Sequence, residues 1–179
     1  MAAGRACHDR AAQPRSSLVL APPAGMRATG LRFPARPPGL GRLAHIRAVL
    51  AIRLALQAGE AFQAGQAWWR SDRHIRSASP AGHVPDAEVL WPPVPASLYP
   101  DECWAIEAEL TPKGTARTAA IMAGLLTRTA AQGRAARYDH VVYLCFPAAL
   151  PAVQRAAATL PAPLAARLDV RDLPEGALL

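Results

Sequence analysis

Val84-Pro85-Asp86-Ala87-Glu88-Val89-Leu90-Trp91 and Cys103-Trp104-Ala105-Ile106-Glu107-Ala108-Glu109-Leu110 are the two segments that decide how this chain folds. Both alternate in character with a period of two, the period of a β-strand, in which successive side chains point to opposite faces. Asp86, Glu88 and Leu90 point one way, and Ala87, Val89 and Trp91 the other. Glu107 and Glu109 share a face, opposite to Trp104, Ile106, Ala108 and Leu110. Pro92-Pro93-Val94-Pro95 ends the first strand. If the two strands pair antiparallel about this linker, Asp86 falls beside Glu107 or Glu109, because neighbouring strands lie about 4.8 Å apart. Four acids thus share one side of a sheet, and the apolar sets belong to the core. Lys113, the one lysine of the chain, follows closely behind.

Such a cluster has an electrostatic consequence. Two carboxylates roughly 5.5 Å apart repel by about 3 kcal/mol at an effective dielectric near 20. A partly covered group of three or four must take up protons or recruit cations. Lys113 offsets one charge, and a divalent ion such as Mg²⁺, which prefers carboxylate oxygens, offsets two.

The flanking elements read as α/β. Residues 43–64 carry Ile46, Val49, Ile52 and Leu56 on one helical face, with Leu50 beside it and Arg53 at its edge. Gly65-Gln66-Ala67-Trp68-Trp69-Arg70 supplies a possible strand, and Ser71 or Asp72 a helix start. Thr111 or Thr115 caps a helix running to about Gln132. His140–Phe146 is a continuous apolar run, the signature of a buried central strand. A small helix over 149–158, a turn or short helix over 164–167 and a strand over 168–173 complete the order. The expectation is a small mixed sheet flanked by helices, spanning residues 43–179.

Residues 1–42 read differently. Their prolines, glycines and arginines show no apolar periodicity, so this stretch is expected to be a disordered basic tail. Residues 1–53 hold nine arginines and one acid, whereas the remainder is nearly neutral; the net charge of +7 therefore resides at the N-terminus. Arginine-, alanine- and proline-rich composition suggests a high-GC bacterial coding sequence. Cys7, Cys103 and Cys145 have no paired spacing, which excludes a disulfide framework and points to a reducing, cytoplasmic setting. No apolar run reaches membrane-spanning length. His83 and His140 could join Cys103 and Cys145 in a zinc site only against the spacing. Glu60 reads as a polar helix-end residue.

Pro85-Asp86, then a strand bearing Glu107-Ala108-Glu109 with Lys113 behind it, resembles the PD-(D/E)XK nuclease pattern. More narrowly, Trp104-Ala105-Ile106-Glu107-Ala108-Glu109-Leu110-Thr111-Pro112-Lys113 with Arg117-Thr118 resembles replication-relaxation proteins of bacterial plasmids and integrative elements. Arg70-Ser71-Asp72-Arg73-His74-Ile75-Arg76 and His83-Val84-Pro85-Asp86-Ala87 are also similar to that family.

The resemblance implies a restriction-endonuclease-like αβββαβ core and Mg²⁺ held by Asp86 and Glu107. Glu109 would be a further ligand or base, and Lys113 would stabilise developing charge. It also implies DNA as partner, in cleavage or nicking during replication or transfer. The residues themselves offer Arg70, Arg73 and Arg76, a basic patch near the sheet, to the phosphate backbone or equally to Asp72 and Glu88 as salt-bridge partners, and Arg117 to a phosphate or to Glu109. Two departures stand out. Glu107-x-Glu109 replaces Glu-x-Lys, and the tail is too short for the winged-helix domain that precedes this region in the family, so a truncated or minimal member is expected. The alternative is a catalytically degenerate module that binds DNA or a protein.

Overall fold

A computed structural model describes residues 38–78, 82–91, 102–128 and 137–174. The expected disorder of the tail up to residue 37, and the linker over 92–101, lie outside the described residues.

The molecule is α/β. Its elements run α1 (Leu40–Gln57), α2 (Glu60–Gln63), β1 (Trp68–Ser71), α3 (Asp72–Ala78), β2 (Ala87–Trp91), β3 (Glu102–Glu109), α4 (Thr115–Leu126), β4 (His140–Cys145), α5 (Leu150–Ala157), α6 (Ala162–Ala165) and β5 (Leu168–Asp172). The five strands form one mixed sheet in the order β1-β2-β3-β4-β5. β1, β2 and β3 are antiparallel neighbours, while β4 and β5 run parallel to β3. Parallel neighbours need a crossover, and α4 supplies the first while α5 and α6 supply the second.

Helices cover both faces. Ile52 of α1 and Phe62 of α2 pack on Ala87, Val89, Ile106, Ala108, Val142 and Leu144. Met122, Leu125 and Leu126 of α4, with Val153 and Ala156 of α5, pack on Cys103, Ala105, Val141, Tyr143 and Cys145. β4 is buried inside the sheet as its apolar run predicts, though β3, not β4, is the middle strand: alternate residues of β4 feed the two cores, and Val141 to Cys145 are all buried.

The register bears out the shared face of the acids and corrects its surroundings. Ala87 pairs with Ile106 and Glu88 with Ala105, so Glu88, Glu107 and Glu109 do share a face. The apolar sets, however, are not the sole core side. The acid face is the one that α4 and α5 cover, and Glu88, Glu107 and Glu109 are all buried. The crossover helices α4 and α5 both lie on that one face, and their cover extends over β3.

Other boundaries shift for local reasons. The helix expected over 43–64 breaks at Gly59, whose extended backbone starts α2 afresh. Its inward stripe is Ala48, Val49, Ile52 and Leu56, whereas Leu50 is exposed. β2 begins at Ala87 rather than Val84, leaving Asp86 at a bend. α4 stops at Leu126, short of the expected Gln132, and residues 129–132 are outside the described set. Among the described residues no helix is long and apolar enough to cross a membrane.

Candidate functional site

Asp86, Glu107, Glu109 and Lys113 come together where β2 begins and β3 ends. Asp86, at its bend, turns its carboxylate onto the end of β3, where Oδ2 accepts the Ala108 N–H at 2.9 Å. Its Oδ1 lies 2.8 Å from Nε2 of His45, on the first turns of α1. In the same way Oε1 of Glu107 lies 2.7 Å from Nε2 of His83, in the loop before β2. Glu109 Oε2 lies 2.7 Å from Lys113 Nζ. Three carboxylates are therefore each held by one nitrogenous side chain.

Electrostatics follow from this packing. Burial pushes the Glu107 carboxyl up, and the Asp86 charge adds to the rise, while the hydrogen bond and charge of His83 and the charge of Lys113 oppose it. The hydrogen bond to Asp86 raises His45 against partial burial, and Glu107 does the same for His83. Tyr143 stands opposite Glu107 in the β3–β4 register. Burial drives its hydroxyl far above the ordinary phenol value, with the Glu107 and Glu109 charges adding, so it stays protonated. With both imidazoles protonated, three anions face three cations. With both neutral, the group carries a net −2, the charge a divalent ion offsets.

Glu88 belongs elsewhere, although it shares the strand parity of the site. It is fully buried and takes hydrogen bonds from Arg70 Nε at 2.5 Å, Arg137 Nη2 at 2.8 Å and the Tyr138 hydroxyl at 2.7 Å. Burial alone would raise its pKa, but Arg70, Tyr138 and Arg137 hold it below the usual range. This is an internal ion cluster that fastens β1 and the loop before β4 to β2.

The arginines are distributed accordingly. Of the two partners open to Arg70, a DNA backbone or Glu88, it takes Glu88 and turns inward. Arg76 lies 3.8 Å from Asp72 on α3, and Arg73 is exposed on the same helix. Arg117 is exposed on the first turn of α4, close behind Lys113, and rims a cleft with His83 and Arg128. The Glu109 partner is Lys113, not Arg117. Glu60 is exposed on α2, on the opposite face of the sheet.

Among the described residues the zinc grouping does not come together: His83 bonds Glu107, His140 lies 3.3 Å from Glu102, and Cys103 and Cys145 are buried on β3 and β4. Sequence reasoning missed His45 as a site residue altogether. Its signal was the placement of a histidine in line with Ala48, Val49 and Ile52, on the inward stripe of α1.

Mg²⁺ takes one or two protein carboxylates and completes its shell with water and phosphate oxygens. Asp86 and Glu107 supply two neighbouring carboxylates, and the raised Glu107 carboxyl is the mark of a group that a further positive charge would relieve. Among the described residues no group of three His, Cys, Asp or Glu side chains forms a complete protein cage. The pair matches Mg²⁺ in the kind of ligand, while three of its four oxygens already carry a hydrogen bond, from His45, the Ala108 N–H and His83.

No protein-family model, curated protein or solved structure matches this chain.

Proposed function

We propose that this chain is a DNA-associated, nuclease-like protein in which Asp86 and Glu107 hold Mg²⁺ for phosphodiester cleavage or nicking. The observation that carries the proposal is the meeting of Asp86 and Glu107 at one end of the sheet, beside Glu109 and Lys113. The strand order, with three antiparallel strands, a helix and a parallel fourth strand, supports the same reading, since it follows the αβββαβ order of the resembled nucleases. Resemblance to replication-relaxation proteins adds the setting, replication or transfer of a mobile element.

Each residue then has a task. Asp86 and Glu107 hold the ion, and His45 and His83 fix the rotamers of those carboxylates through Asp86 Oδ1 and Glu107 Oε1. When bound, Mg²⁺ supplies Lewis acidity toward a phosphate oxygen and lowers the pKa of its water. Lys113, oriented by Glu109, stabilises negative charge developing on the phosphate. Arg117 and the exposed arginines of α3 meet neighbouring phosphates, which positions the backbone without reading sequence.

The test is cleavage of supercoiled, linear and single-stranded DNA with and without Mg²⁺. The wild type is expected to nick or cut only with Mg²⁺, and Asp86→Asn and Glu107→Gln to lose at least a hundredfold in rate while remaining folded. Undiminished cleavage by either variant would overturn the assignment.

One observation favours a second reading, a degenerate module that binds DNA without cutting it. Imidazoles already occupy Asp86 Oδ1 and Glu107 Oε1, and Glu109 stands where the nuclease pattern has lysine. In that case binding is salt-sensitive but indifferent to Mg²⁺ and to Asp86→Asn.

A further inference from the structure

A cleft of about 420 Å³ runs along α4, on the face of the sheet that carries the carboxylates. Arg117, Ala120, Ile121, Gly124 and Arg128 line it, and their spacing of three or four residues follows one helical face. Gly82 and His83, in the loop before β2, form the facing wall. His83 joins the cleft to the site, since its Nε2 holds Glu107.

Charge and shape divide this lining into three parts. Arg117 and Arg128 stand at its two ends, roughly 16 Å apart at 1.5 Å per residue, and no carboxylate lines the cleft. Arg117 is exposed. Arg128 is set in place: its Nη1 donates to the His83 carbonyl at 3.0 Å, and Nη2 lies where a Cβ on Gly82 would stand 3.3 Å away. Between the two guanidiniums the floor is apolar and low, made by Ala120, Ile121 and Gly124. Glycine inside a helix is destabilising relative to alanine. A Cβ at Gly124 would meet nothing within 4 Å, so no contact among the described residues requires glycine there. What it leaves is room for close approach from outside.

We propose that this cleft holds one or two unpaired nucleotides of a DNA strand beside the scissile phosphate, with a base laid on Ile121 across Gly124 and the flanking phosphates at Arg117 and Arg128. Cation, apolar floor and cation match the order phosphate, base, phosphate. The volume lies within the usual range for small-molecule sites, on the scale of single nucleotides and too narrow for a duplex. A paired base is stacked and shows only its edge in a groove, whereas an unpaired one can lay its face on an apolar surface. The inference rests on the nuclease reading and narrows its substrate to DNA with an unpaired segment, such as a flap, gap or single-stranded tail.

Fluorescence anisotropy of the whole chain with labelled oligo-dT of about eight nucleotides, within the usual site size, and with a labelled duplex tests this. EDTA is present throughout, so that binding is read without cleavage. Gly124→Leu fills the cleft from a position with open space above it and strengthens the helix, so its melting temperature is expected to equal or exceed that of the wild type. It is expected to weaken oligo-dT binding about tenfold, the scale of one lost base contact, and to leave duplex binding unchanged. Arg117→Gln, at an exposed position, is expected to reduce the slope of log affinity against log salt by about 0.7, one single-strand phosphate. Oligo-dT binding that Gly124→Leu leaves intact, an equal loss for the duplex, or an unchanged slope in Arg117→Gln overturns the proposal. Displacement of oligo-dT by poly-glutamate at equal charge concentration overturns it in favour of an acidic peptide. The nuclease reading fails separately: if the wild type cuts no DNA with Mg²⁺ while Gly124→Leu still loses oligo-dT alone, the cleft holds the strand without chemistry.

Discussion

His45 Nε2 lies 2.8 Å from Asp86 Oδ1 across forty-one residues of chain, and it ties the first turns of α1 to the end of the sheet. His83 and Glu107 repeat the arrangement next to it. Both histidines have folded pKa values above the ordinary 6.5. A raised value means that the stabilisation is fully present below 6.5 and is lost as pH rises through the folded pKa. Melting temperature is therefore expected to fall as pH rises above 6.5, and the double variant His45→Gln/His83→Gln to flatten that slope. An unchanged slope in the variant would remove the histidine pairs as its source.

Glu88 works in the opposite direction. Its lowered folded pKa gives stability that is present above the ordinary value of 4.5 and is lost as pH falls through the folded value. Glu88→Ala leaves Arg70 and Arg137, both partly buried, without their fully buried anion. Breaking a buried pair from one side costs about 3 kcal/mol or more. Urea melts at pH 7 are expected to show that loss, and a change below about 1 kcal/mol would mean that the arginines relax outward to water.

On the proposed reading Mg²⁺ binds the folded chain alone, so it stabilises by mass action, about 1.4 kcal/mol at ten times its dissociation constant. Thermal melts of wild type, Asp86→Asn and Glu107→Gln across a Mg²⁺ series check this directly. The wild type is expected to rise and both variants to stay level. A rise shared by all three would locate the ion elsewhere.

Cys103 and Cys145 are both buried, and Cys145 is pushed up to about 12 by burial, with the Glu109 and Asp172 charges adding. A chain carrying Cys7→Ser is thus expected to resist a thiol-specific disulfide reagent at pH 8 and to titrate both thiols once unfolded in guanidinium. Fast native reaction would mean that the α4–α5 layer opens readily.

Much of this architecture could be read from residue order. Period-two alternation gave β2 and β3 their faces, and the unbroken apolar run of β4 marked it as buried inside the sheet. Two things could not be read. Asp86 and Glu88 have the same parity, yet one ends in a site and the other in an ion cluster. What separates them is Arg137 and Tyr138, some fifty residues downstream, which reach Glu88 only through the β3–α4–β4 crossover. His45 was hidden for the same reason, since nothing local to α1 reveals that Asp86 will stand at its end. The cover over the acid face was hidden as well. An acid every second residue imitates a solvated strand, and only the third dimension shows that α4 and α5 close over it.

The sheet's two outer strands also bear on how the molecule behaves among copies of itself. An exposed strand edge is a template for pairing with another chain, and short or charged edges suppress that pairing. β1 offers only four residues before the chain turns at once into α3. β5 places Asp169, Arg171 and Asp172 within its five. Each flank thus discourages strand-to-strand growth, one by brevity and the other by charge. Replacing the three charged residues of β5 with threonine is expected to leave the fold intact while producing concentration-dependent, thioflavin-positive aggregates, measurable by light scattering on warming.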